Sequence, residues 1–194
     1  MCEGCKLGKQ TRSSHRIINS MSTSQPLDLM HMDLVGLVQT KSLGGKKYML
    51  VLVDDFSRFT WVKFLCEKSD AFDNFQNLCK MISNEQYSSN KCIVRLRTNH
   101  GTEFENASFD EFCNDMGIKH EFSAPITPQQ NGVVERKNRV LIEMGRVMLN
   151  SAGLAHTFWA EAISNACYTI NRVIFRSGTE KTPYEILKGK KPNG

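Results

Sequence analysis

The most constraining feature of this 194-residue sequence is a change of period near residue 66. Before it stand three short apolar stretches, at 27–38, 48–53 and 60–65. In the first, Met30, Met32 and Leu34 alternate with His31, Asp33 and Val35, the two-residue period of a strand with one face on a core. Gly44-Gly45 and the run Asp54-Asp55-Phe56-Ser57-Arg58 are short turn-forming connections, so the three strands are expected to form an antiparallel meander. Beyond residue 66 the spacing becomes helical: Phe72, Phe75, Leu78, Cys79 and Ile82 share one face, with Ser69 as the expected cap. A strand is expected at 92–96. A helix follows, opened by a Ser108/Glu111 capping box and presenting Phe109, Phe112, Cys113 and Met116. Another strand is expected at 118–123, then a loop bracketed by Pro125 and Pro128, a long helix at 132–149 and a last helix at 157–172. The order β-β-β-α-β-α-β-α-α describes an α/β chain: a five-stranded mixed sheet flanked by helices on both faces.

Composition narrows the function classes. The longest apolar run, residues 48–53, is far short of the ~20 residues that span a bilayer, so no membrane partner is expected. No apolar leader opens the sequence, and the seven cysteines are an odd number scattered through apparent core segments, which favours a reducing, intracellular setting. A chain of this length buries a full core without disulfide or metal staples. The net charge is only +5, but its distribution is uneven. Lys6, Lys9, Arg12 and Arg16 crowd the start and six basic residues follow from Arg172 onward, whereas residues 66–121 hold ten acidic against six basic. Basic flanks around an acidic centre suit a polyanion gripped at the ends with a cation site between them; an unevenly charged, solvated surface gives the same pattern.

Three polar residues stand at the ends of apolar elements or inside them. Asp33 lies within the first strand, Asn99 just after the strand ending near Leu96, and Glu135 in the first turn of the long helix. On a helical wheel Glu135 shares a face with Arg139, Ile142 and Arg146. Val133, Val134, Val140, Leu141, Met144, Val147 and Met148 fall opposite, with Lys137 intruding among them. Taken singly, Asp33 reads equally well as an edge charge and Glu135 as a favourable acid at a helix start.

Together they sit in words that carry a resemblance. Met32-Asp33-Leu34-Val35-Gly36, Val53-Asp54-Asp55-Phe56-Ser57-Arg58 with Trp61-Val62, Gly101-Thr102-Glu103-Phe104, and above all Thr127-Pro128-Gln129-Gln130-Asn131-Gly132-Val133-Val134-Glu135-Arg136 resemble the integrases of copia-type retrotransposons. Phe158-Trp159-Ala160-Glu161-Ala162 and Lys181-Thr182-Pro183-Tyr184-Glu185 extend the likeness through almost the whole chain. The resemblance implies a ribonuclease H-like catalytic core that joins element DNA to target DNA by metal-dependent polynucleotidyl transfer. It also implies residues 1–26 as an arm left from a zinc-binding module, 27–150 as the catalytic core and 151–194 as a C-terminal helical extension.

In that family two aspartates and a glutamate hold Mg²⁺ or Mn²⁺ ions against the phosphodiester, because a two-ion centre needs several carboxylates converging on it. Asp33 matches the first aspartate and Glu135 the glutamate. The middle position departs: where the family has Arg-Ser-Asp-Asn-Gly-Gly-Glu-Phe, this chain has Arg97-Thr98-Asn99-His100-Gly101-Thr102-Glu103-Phe104. Asn99 stands in the aspartate's place, with 35 residues between it and Glu135, the family separation. An amide brings no negative charge, so weakened ion binding and impaired catalysis are expected. Glu103 belongs to the family pattern in its own right, and Asp54 and Asp55 are expected to fix the hairpin turn. The other reading is a non-catalytic nucleic-acid-binding or assembly module derived from an integrase.

The resemblance also implies that Cys2 and Cys5 close a His-His-Cys-Cys zinc module. Neither His15 nor His31 stands at a matching position, so no complete zinc site is expected. Cys66, Cys79, Cys92, Cys113 and Cys167 fall on apolar faces as packing residues. Lys137, Arg139 and Arg146, on or after the Glu135 motif, are the candidate phosphate contacts. The partners implied are element ends and target DNA, with a homo-oligomer as the assembly and the nucleus as the place of work.

Overall fold

The computed structural model describes residues 23–36, 39–86, 91–123 and 131–192. Cys2, Cys5 and the loop holding Pro125 and Pro128 lie outside them. Five strands form one sheet: β1 (Met30–Val35), β2 (Tyr48–Asp54), β3 (Thr60–Leu65), β4 (Arg95–Thr98) and β5 (Lys119–Phe122). Their order across the sheet is β3-β2-β1-β4-β5. The β1–β2 and β2–β3 pairs are antiparallel, as the short connections require, while β4 runs parallel to both β1 and β5. The helices are α1 (Ala71–Gln86), α2 (Ala107–Asp115), α3 (Gly132–Ala152), α4 (Trp159–Arg172) and α5 (Pro183–Lys188).

Strand alternation divides the core in two. Met30, Met32, Leu50 and Leu52 face α1 and α2, packing on Phe75, Leu78, Ile82, Phe109 and Cys113. Met49, Val51 and Val53 face the other way, onto α3 and α4. The register sets His31 opposite Val53 and Asp33 opposite Val51. On that face β1 contributes His31, Asp33 and Val35, and this places an acid beneath the long helix. Helix α4 belongs to the same layer through Trp159, Ile163, Ala166 and Ile170. It approaches α3 closely at Gly145, where a methyl group would meet Ile163 at 2.9 Å.

Helix starts differ from expectation. Ser69 is not the cap of α1; a 3₁₀ turn at Lys68–Asp70 precedes the helix, and Glu67 and Asp70 cap each other reciprocally. The Asp70 carboxylate accepts from Cys66 and Glu67 N–H, and Ser69 lies inside the turn rather than at its cap. Helix α2 starts at Ala107, capped by Asn106, whose side chain accepts from Phe109 N–H; Ser108 lies inside the first turn. Sheet pairing in β4 begins only at Arg95, although the apolar run starts before it. Helix α5 was not expected; Thr182 and Glu185 form its capping box around Pro183.

At the sheet's outer edge, the Asn171 side chain of α4 accepts from Thr60 N–H at 2.9 Å and donates to Thr60 C=O at 2.7 Å.

Candidate functional site

Asp33 projects from the middle of β1 toward α3. Asn99 follows directly on β4, the parallel neighbour of β1, so its side chain is delivered beside Asp33. The Asn99 amide Nδ2 donates to Asp33 Oδ1 at 3.0 Å, across 66 residues of sequence. Asp33 Oδ2 accepts from Asn138 Nδ2 of α3 at 2.9 Å. Glu135 stands three residues before Asn138, the spacing that puts two helical side chains on neighbouring positions of one face. The structure thus gathers Asp33 and Asn99 in direct contact, with Glu135 close enough for its charge to act on Asp33.

Burial pushes the Asp33 carboxyl up to about 6; bonds from Leu34 N–H and Asn138 oppose this, and the charges of Glu135 and Glu103 reinforce it. Glu103 folds back over the turn: a methyl on Gly101 would meet its carboxyl at 2.6 Å. Gly101 N–H donates to Asn99 Oδ1 at 3.0 Å, which ties the turn to the site. The drifted residue His100 has contacts of its own, with its ring stacked on Phe122 at 4.7 Å.

Sequence reasoning missed Asn138. The buried stripe of α3 runs through Val134, Asn138, Leu141, Gly145 and Leu149, with a polar residue in its second place. Val140, expected on the apolar side, is 41% exposed. The signal was present: Asn138 stands four residues after Val134 and three before Leu141, in phase with the core. Arg139 and Arg146 are exposed on α3. Lys137 lies where the helical wheel put it, among the apolar side chains. Two residues along a helix turn a side chain by about 200°, so Lys137 faces away from Glu135 and lies half-buried near Cys167 and Arg58. Burial lowers its ammonium to about 8. It does not share the outward face of Arg139.

A two-ion centre needs converging carboxylates. Among the described residues no three His, Cys, Asp or Glu side chains gather closely enough to hold an ion. With an amide at 99 in place of a third acid, the donor set as folded does not fit such a centre. Cys2 and Cys5 lie outside the described residues.

A five-stranded sheet in this order, covered by helices on both faces and with an acid on its central strand beneath the long helix, is a ribonuclease H-like fold of the retroviral integrase core type. The integrase core domain family matches residues 23–128, and the chain belongs to that family. It is similar to the retrovirus-related Pol polyprotein from transposon TNT 1-94 of Nicotiana tabacum. The two are 40% identical over 171 residues, which is 88% of this chain and 13% of that polyprotein. The Pol polyprotein from transposon RE2 of Arabidopsis thaliana is 33% identical over 195 residues, covering 99% of this chain and 13% of the relative. The chain thus spans 13% of the length of these relatives, and it is similar to the integrase-core segment of retrotransposon polyproteins. Among solved structures, the HTLV-2 integrase catalytic core domain in complex with magnesium aligns with a TM-score of 0.65 at 22% identity, over 84% of this chain and 97% of that one. A chain of the simian T-cell lymphotropic virus intasome in complex with PP2A regulatory subunit B56 gamma aligns with a TM-score of 0.69 at 19% identity, over 96% of this chain and 63% of that one.

Proposed function

We propose that the chain is the integrase core of a copia-type retrotransposon, that it works on DNA in the integration reaction, and that its own phosphodiester chemistry is impaired. The carrying observation is the Asp33–Asn99 contact, an amide in hydrogen bond with the acid where the family places a second carboxylate. With Asp33 and Glu135 as the remaining acids, binding of Mg²⁺ or Mn²⁺ is weakened. Arg139 and Arg146, exposed on the helix that carries Glu135, supply phosphate contacts that do not depend on the ion site. These exposed arginines also support the second reading, a non-catalytic DNA-binding or assembly module in which further copies supply the chemistry. The similar HTLV-2 catalytic core is described in trimeric and dimeric forms, which supports self-association here.

Strand transfer of a labelled oligonucleotide duplex in Mn²⁺ tests the impairment. Wild type is expected to give little or no product. Asn99→Asp is expected to give a measurable amount, lost again on adding Glu135→Gln. Robust wild-type transfer that survives Glu135→Gln would show that other residues do the chemistry.

A further inference from the structure

Asn99 does more than remove a charge. Gly101 N–H can only donate, so it fixes the oxygen end of the Asn99 amide toward itself and the NH₂ end toward Asp33. Asn138 holds the other Asp33 oxygen; it is 6% exposed, and its own buried Oδ1 has no partner among the described residues. Around one carboxylate, therefore, two amides join β1, the loop after β4 and α3.

We infer that this is a cation-free clasp, in which the amides of Asn99 and Asn138 hold Asp33 in place as bound ions hold it in a three-carboxylate centre. The inference rests on reading Asp33, Asn99 and Glu135 as a former ion site. An aspartate at 99 could still accept from Gly101. Its second oxygen would then face Asp33 Oδ1 at hydrogen-bonding distance, and two carboxylates that close need a proton or a cation between them. The same backbone is thus ion-independent with Asn99 and ion-dependent with aspartate there. An exchange of the two groups, Asp33→Asn with Asn99→Asp, keeps one donor facing one acceptor and leaves Gly101 and Asn138 each with an oxygen to bond.

Thermal unfolding of the 194-residue chain in EDTA and in millimolar MnCl₂ tests the clasp. Wild type is expected to melt at the same temperature in both. Asn99→Asp is expected to melt several degrees lower in EDTA and to recover in MnCl₂. The double exchange is expected to melt near wild type in EDTA. Manganese raising the wild-type Tm as much as that of Asn99→Asp would overturn the clasp, and so would an Asn99→Asp chain as stable in EDTA as wild type. Should Asn99→Asp not fold in EDTA, the double exchange decides: failure to restore folding overturns the inference. Active wild type in the strand-transfer assay would instead defeat the proposed impairment, whatever the melting curves show.

Discussion

Two aspartates near the centre of the sheet, Asp33 and Asp55, meet opposite fates. Asp55, just after β2, is almost fully buried and accepts from Thr23 Oγ1 at 3.0 Å, Arg58 Nη1 at 3.0 Å and His31 Nε2 at 3.1 Å. Burial alone would raise its carboxyl, but the His31 bond and the Arg58 charge outweigh it and hold the group well below the usual carboxylate range. Asp33 lies two residues along β1 from His31 on the same face, yet its side-chain partners are neutral amides and its charged neighbours are other acids. One negative charge is met by the Arg58 guanidinium together with the His31 ring and the Thr23 hydroxyl. The other is held in place but left uncompensated. A buried acid whose charge the fold neutralises belongs to the architecture; on the function proposed above, Asp33 is instead the acid that an ion outside the chain would neutralise.

Matched amide substitutions break or sharpen this contrast. Asp55→Asn leaves Arg58 facing an amide in a buried setting and is expected to cost about 3 kcal/mol at neutral pH, a drop of roughly 6–12 °C in Tm for a domain of this size. Asp33→Asn removes a poorly compensated charge along with one good hydrogen bond, and about 1 kcal/mol is expected. Equal losses in differential scanning calorimetry would dissolve the distinction. The pH dependence sharpens it. Because the folded Asp55 carboxyl sits below its ordinary value of 3.8, its stabilisation is complete above that value and disappears as pH falls through the lower folded one. The Tm gap between wild type and Asp55→Asn is therefore expected to narrow below pH 4 and to be constant from pH 5 to 8. The smallest thermal effect is expected for Arg139→Ala, which touches neither acid: stability within about 0.5 kcal/mol of wild type, but DNA affinity lowered across unrelated sequences. The slope of log affinity against log salt should also be shallower by about 1. Affinity that does not respond to salt would remove the arginine face from the DNA surface.

Much of the fold was legible because strand alternation and helical spacing depend on local sequence. The three antiparallel strands, the switch to helices and the positions of Asp33, Asn99 and Glu135 follow from apolar period and a specific set of words. What stayed hidden depends on distant partners. Asn138 is in phase with the core of α3, but nothing in that helix names its partner until β1 supplies an acid 105 residues away. The start of β4 is set by its pairing with β1 and β5 rather than by where Cys92 and Ile93 make the chain apolar. The caps differ because both helical segments start earlier than expected, at Lys68 and Ala107, which leaves Ser69 and Ser108 inside the first turn with Glu67 and Asn106 at the caps.

The Asn171 bonds to Thr60 have a further meaning for how copies of this chain can meet. Strand β3 ends the sheet, and an outermost strand offers its free peptide groups to any extended segment that drifts by. At Thr60 both groups are already taken by a side chain imitating the next strand's peptide. A sixth strand could not zip along β3 from its beginning without first evicting that amide, which the chain supplies permanently from α4. The fold thus plugs the start of its own β3 edge with a side chain, so an added strand could pair there only beyond Thr60.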